Sequence, residues 1–185
     1  MKLFKLLLIL LLFPSIMFAT SFKIDKANSY IGIKYQSNTM NDLVIRLSSV
    51  KGGATIERGR LTGLNFKASL KKLTTGNKDR DTYLKESVFR TNKYKSIHFE
   101  TISVERSKGG MIVTGMLTIS GKSIRGVELP IRITGPVEEE NKKERLGVSS
   151  EIEISRKAFN MTILDENEKI SDNLLLNIQL QLKEK

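Results

Sequence analysis

The 185-residue chain carries 31 lysines and arginines against 20 acidic residues, one histidine and no cysteine, for a formal net charge of +11. Without cysteine there is no disulfide framework, no thiol nucleophile and no lipid-modified cysteine behind a leader, and a lone histidine leaves a transition-metal site or a histidine-based triad without partners. The basic excess favours anionic partners or surfaces, but it comes with neither a basic helix nor an aromatic stacking motif, so no nucleic acid is expected.

Met1 to Ala19 reads as an export signal. Lys2 and Lys5 precede an apolar run from Leu6 to Phe13, and small residues follow near Ala19 and Thr20. The run is broken by Pro14 and falls short of the roughly 20 apolar residues of a membrane helix, so a soluble periplasmic product beginning near Thr20 is expected. The remaining 20–185 is the size of one ordinary domain.

Period-two patterning then recurs, the mark of strands with one face turned to an apolar interior. Ile31, Ile33 and Tyr35 share a face between Ser29 and Tyr35, and Leu64, Phe66, Ala68 and Leu70 share another. Further stripes are Met111, Val113, Gly115, Leu117 and Ile119, then Val127, Leu129, Ile131 and Ile133, then Leu146, Val148, Ser150, Ile152 and Ile154, and last Leu174 to Leu182 at every second residue. Lys51-Gly52-Gly53, Lys108-Gly109-Gly110, Gly121-Lys122-Ser123 and Gly135-Pro136 read as turns or loops, and Glu138 to Arg145 as a solvated connection.

One segment departs from this rhythm. Asp79 to Ser87 reads as a short helix, with Asp79 able to cap its first N–H groups and Asp81 placed near its positive end. About eight antiparallel strands with one helical insert must hide their edges. Closure into a barrel does so, with a filled sandwich as the rival. The stripes alone do not separate a packed core from a cavity that holds lipid.

Six stretches, in order, resemble the YceI-like family of exported, lipocalin-like barrel proteins. They are Ile24 to Ser29, Thr75-Gly76 with Arg80 to Leu84 and Phe89, Tyr94 to Phe99, Gly115 to Gly121, Ile154 to Phe159, and Ile170 to Asp172. Asn28 and Tyr83 stand where histidine is frequent in that family, Lys95 where proline is usual, and Asn160 where glycine is usual. The resemblance implies an all-β, extended antiparallel barrel that holds a long isoprenoid, such as a polyprenyl phosphate or a quinone, and catalyses nothing. It implies no cofactor beyond that lipid, and it allows a homodimer and passing contact with a membrane surface.

On this reading Tyr35, Phe66, Tyr83, Leu84, Phe89, Phe99 and Phe159 line the ligand, their flat or branched surfaces packing against isoprene units; ordinary core packing accounts for them equally well. Arg80 and Asp81 would orient a polar head, or else fasten the insert as an ion pair or helix cap. Arg156 has the same two readings, with Asp172 or Asp81 as its structural partner. His98 alternates with Ile97 and Phe99 and should face outward. A fatty acid or fatty amide is an alternative ligand, since apolar walls discriminate poorly between long chains. A basic envelope-surface protein with a filled core is an alternative from another class, and an enzyme using Asp81 or Glu86 is the weakest reading.

Overall fold

The computed structural model describes residues 19–35, 43–161 and 171–185. The proposed leader therefore lies outside the described residues up to Ala19, where the first strand begins. The strands are β1 (Ala19–Ile24), β2 (Tyr30–Tyr35), β3 (Leu43–Leu47), β4 (Val50–Glu57), β5 (Arg60–Ser69), β6 (Leu73–Thr74), β7 (Ser96–Ser107), β8 (Gly110–Ile119), β9 (Lys122–Glu138), β10 (Glu144–Ser155) and β11 (Asn173–Glu184). One helix, α1 (Lys78–Tyr83), lies between β6 and β7 and runs into a wider π turn over Leu84–Val88.

The ladder β1-β4-β5-β7-β8-β9-β10-β11 closes on itself through β1 and β11, giving an eight-strand antiparallel barrel. β2, β3 and β6 continue the sheet from β11. β1 and β2 run one after the other along β11, facing Leu182 to Glu184 and Leu175 to Gln179 respectively. β3 and β4 follow them in the same way, as do β6 and β5. Three neighbouring strands are thus each broken once, at Asp25–Ser29, Ser48–Ser49 and Leu70–Lys72, and the breaks lie side by side.

The alternation dictates which face is buried, because successive side chains point to opposite faces of a strand. Ile31, Ile33, Leu47, Leu64, Ala68, Leu117, Leu176, Ile178 and Leu182 are all fully covered, and the remaining members of the predicted stripes join the same continuous core. Ser150 alone among them is polar, and its buried hydroxyl has no hydrogen-bond partner among the described residues.

Some predicted punctuation proves to be something else. Lys51-Gly52-Gly53 is not a turn but the first part of β4, and the chain bends instead at Ser49, with φ of 67°. The two glycines are there because strands press close: a Cβ on Gly52 would meet the Asn65 carbonyl oxygen at 2.0 Å, and one on Gly53 the Phe22 oxygen at 2.2 Å. Gly135-Pro136 likewise lies inside β9, which runs unbroken through it to Glu138. The hairpin after β8 turns at Ser120 and Gly121, one residue earlier than predicted, with φ of 47° and 76° as a tight two-residue turn requires.

The helix is displaced similarly. Asn77, not Asp79, is its N-cap: its backbone is extended, and its side-chain oxygen accepts from the Arg80 N–H at 3.0 Å. Asp79 and Asp81 sit in the first turn, where a negative charge is favourable.

Candidate functional site

The insert between β5 and β7 closes one end of the barrel. Its base is tied by the Leu70 N–H donating to the Lys95 carbonyl at 3.0 Å. Beside this base it packs on the β8–β9 hairpin, where the Tyr94 ring lies so close to Gly121 that a Cβ there would fall 2.1 Å from it. Leu84, Val88 and Phe89 turn inward and are buried with the barrel core, and Tyr83 packs partly buried against it. At the same end the chain leaves β10 through a 3₁₀ turn, Lys157–Phe159, that buries Phe159 and is followed by buried Met161. Asn160 completes the turn at φ of 54°, a conformation that asparagine tolerates nearly as glycine does, so the departure from the family's usual glycine leaves the turn intact.

The topology therefore gathers Tyr35, Tyr83, Leu84, Phe89 and Phe159 at one end of the apolar interior. Phe66 and Phe99 lie on paired positions of β5 and β7, their rings stacked with centroids 5.5 Å apart. Together these side chains form a continuous apolar lining, and Phe89, Phe99 and Phe159 show almost no exposed surface.

The wall beside them is incompletely laddered. β5 and β7 pair only over Phe66–Ser69 and Ser96–Phe99, and beyond that point side chains take over. The Leu64 N–H donates to Thr101 Oγ1 at 2.9 Å, the Thr101 hydroxyl donates back to the Leu64 carbonyl at 2.6 Å, and the Thr101 N–H donates to Asn65 Oδ1 at 3.0 Å. Across the barrel, β9 pairs with β10 only from Arg132 to Glu138, so its first half and the second half of β10 share no ladder.

The predicted polar residues divide into tied and untied groups. Asp81 accepts from both the N–H and the hydroxyl of Thr75, at 2.6 and 2.7 Å, and Arg80 Nε donates to the same hydroxyl at 3.0 Å. Burial opposes the charge of Asp81, but hydrogen bonds from Thr75 and Thr74 outweigh it and hold the carboxyl below its ordinary value. Both residues thus fasten the start of α1, and the exposed Arg80 faces away from the lining.

Arg156 is held otherwise. Its Nη1 donates to the Met161 carbonyl at 2.8 Å, while its Nε is buried with no partner among the described residues. The Asp172 carboxylate accepts from the Lys157 N–H at 3.0 Å and the Ser155 hydroxyl at 2.8 Å, which keep it below its ordinary pKa, and the Arg156 N–H bonds the Asp172 carbonyl. His98 lies half-buried on the outer side of β7, with a buried Nδ1 that has no partner among the described residues.

Sequence reading missed a polar cluster on the barrel seam. Asp25, in the break between β1 and β2, takes Lys183 Nζ at 2.8 Å, Arg145 Nη1 at 3.3 Å and Asn28 Nδ2 at 2.9 Å, and Arg145 also pairs with Glu139. The bond from Lys183, followed by that from Asn28, holds the Asp25 carboxyl well below the usual carboxylate range. Asp25 and Asn28 stand in the Ile24 to Ser29 stretch, Glu139 and Arg145 in the solvated connection and Lys183 in the last strand, and nothing in the sequence brings these three segments together. Ser120 is buried at the hairpin turn, and its hydroxyl has no partner among the described residues.

A closed antiparallel barrel with an apolar inner face and an insert over one end is a lipocalin-like barrel. The chain belongs to the YceI-like domain family, which it matches over residues 22–182.

Among solved structures it is similar to Burkholderia cenocepacia BcnA, with a TM-score of 0.73 at 18% identity, covering 85% of this chain and 98% of that one. A Campylobacter jejuni YceI protein matches with a TM-score of 0.59 at 27% identity, covering 68% of this chain and 74% of that one. A polyisoprenoid binding domain from Saccharophagus degradans, implicated in plant cell wall breakdown, matches with a TM-score of 0.65 at 13% identity over 89% of this chain and 98% of that one. A comparison with curated proteins finds no significant match.

Proposed function

We propose that this protein is a non-catalytic carrier or store for a long isoprenoid lipid in the periplasm, with the lipid tail in the barrel and its polar end at the insert. The observation that carries this reading is the unbroken apolar lining from Phe66 and Phe99 to Tyr35, Leu84, Phe89 and Phe159. Membership of the YceI-like family supports it, as does the likeness in fold to a polyisoprenoid binding domain. The sequence of residues 1–19 supports export.

Of the predicted head-group residues, Arg156 is the one suited to the task. It has a buried N–H to spare, whereas Arg80 and Asp81 are engaged with Thr75. A guanidinium in that position favours an anionic head such as a phosphate.

The lining is already close-packed, so a tail must displace side-chain contacts as it enters. The gross gain of about 0.8 kcal/mol for each CH₂ buried is reduced accordingly, and affinity rests on a long chain filling the length of the barrel. Mass spectrometry of an organic extract tests the reading, using protein gently purified after expression with its own leader. A stoichiometric isoprenoid, missing from an unrelated periplasmic protein handled alike, is the expected result. If labelled isoprenoids also show no saturable binding to folded protein, the carrier reading falls.

A further inference from the structure

Basic residues are concentrated in the segment between β5 and β7. The segment 70–95 holds eight of the 31 basic residues and only three acidic ones. Asp81, one of the three, is turned onto Thr75 and contributes least to the outer field. Lys71, Lys72, Lys78, Arg90 and Lys93 are all exposed, and the first three have no acidic partner among the described residues.

Lys122 and Lys157, on the two neighbouring turns at the insert's end of the barrel, are exposed as well. In sequence, the connection between Met161 and Ser171 holds Asp165, Glu166 and Glu168 against Lys169, a smaller imbalance than the basic excess of 70–95. The opposite end is more mixed. Its longest turn region, 138–145, has four acidic and three basic residues, with Arg145 paired to Glu139 and Asp25, although its shorter turns also expose Arg58, Arg60 and Lys108.

We infer that the insert-bearing end is a docking face for an anionic lipid bilayer, with the lysines and arginines of residues 71–93 meeting the headgroups. The inference rests on the carrier reading for its purpose, because a lipid that enters beside the insert need not cross open water if that end touches the bilayer. For its geometry it rests only on where the charges lie. The insert exposes no large apolar side chain: among the described residues the exposed large hydrophobics are Val44, Ile102 and Val137, and none belongs to it. Contact is therefore electrostatic, reversible and screened by salt. Each lysine near an anionic surface contributes a factor of roughly five in partitioning.

The test is co-sedimentation of the protein, expressed with its own leader, with phosphatidylcholine vesicles with and without phosphatidylglycerol. The expected result is binding to the anionic vesicles only, lost at high salt. A triple variant K71E/K72E/K78E should bind at least about tenfold more weakly. A matched reversal at the other end, R58E/R60E/K108E, should bind as the unaltered protein does, with both variants checked for unchanged thermal unfolding. No binding to anionic vesicles, or equal loss in the two variants, overturns the docking face.

Organic extracts of the same samples keep the two ideas apart. A bound isoprenoid without vesicle binding sinks the docking face and leaves the carrier standing. Vesicle binding confined to the insert, with no isoprenoid and no saturable uptake, sustains the docking face and sinks the carrier.

Discussion

Gly115, in the middle of β8, offers the sharpest test of how the barrel interior is filled. A methyl group placed on it would fall 2.2 Å from Phe99 Cζ and 2.5 Å from the Glu100 carbonyl oxygen, far inside contact distance. The ring cannot simply retreat, because it is stacked on Phe66 at 5.5 Å. Turning Phe99 off its rotamer costs about 0.5–1.5 kcal/mol, and losing the ring pair costs a similar amount. Stiffening the unfolded chain returns about 0.5 kcal/mol. G115A should thus destabilise the protein by about 1.5 kcal/mol, or on the order of 4 °C in Tm for a chain of this size.

Urea denaturation followed by far-ultraviolet circular dichroism measures this. G63A is the control, since nothing lies within 4 Å of the Cβ it would add, and it should be neutral or slightly stabilising. In an F99L background the penalty of G115A should shrink, though not vanish, because the Glu100 oxygen remains. A G115A protein within about 0.5 kcal/mol of the original, or a penalty unchanged by F99L, would refute the account of Phe99 as the residue that fills this level of the barrel.

The Asp25 carboxyl is held below its unfolded pKa of about 3.9, so its contribution is present above about pH 4 and lost as the pH falls through the lower folded value. Urea midpoints measured down to about pH 3 should drop for the unaltered protein and drop less steeply for D25N. Because Asp81 and Thr75 act as one unit, D81A and T75V should each cost roughly 1–2 kcal/mol, and the double variant should cost clearly less than the sum; additive losses would break the assignment. R156Q should reduce recovery of isoprenoids with an anionic head while leaving neutral quinones unaffected, as read by mass spectrometry of extracts. Equal recovery of both would make Arg156 a structural residue.

The barrel was legible in the sequence because its inner face is written in period two, and Leu174 to Leu182 is buried at every second residue as that pattern demands. What misled was glycine. At Gly52 and Gly53 it serves the close approach of β4 to β5 and β1, a pairing between distant segments that local sequence does not display. The helix cap was misplaced by two residues because Asn77 and Asp79 are both good caps, and only backbone geometry selects between them. At the candidate site the aromatic residues were identifiable as inward-facing. That Arg80 turns to Thr75 while Arg156 keeps an N–H with no partner among the described residues depends on side-chain direction, which spacing does not encode.

The side-by-side breaks in β1/β2, β3/β4 and β5/β6 divide the hydrogen-bond ladder into two blocks. β2, β3 and β6 bond to one another and to the first half of β11, whereas β1, β4 and β5 belong to the closed ring. The smaller block ends on two-residue β6 and is joined at its far side to the insert. Its rungs are separate from those of the ring except along β11, yet Ile31, Ile33 and Leu47 on it are fully covered, so it is held against the ring by core packing more than by shared hydrogen bonds.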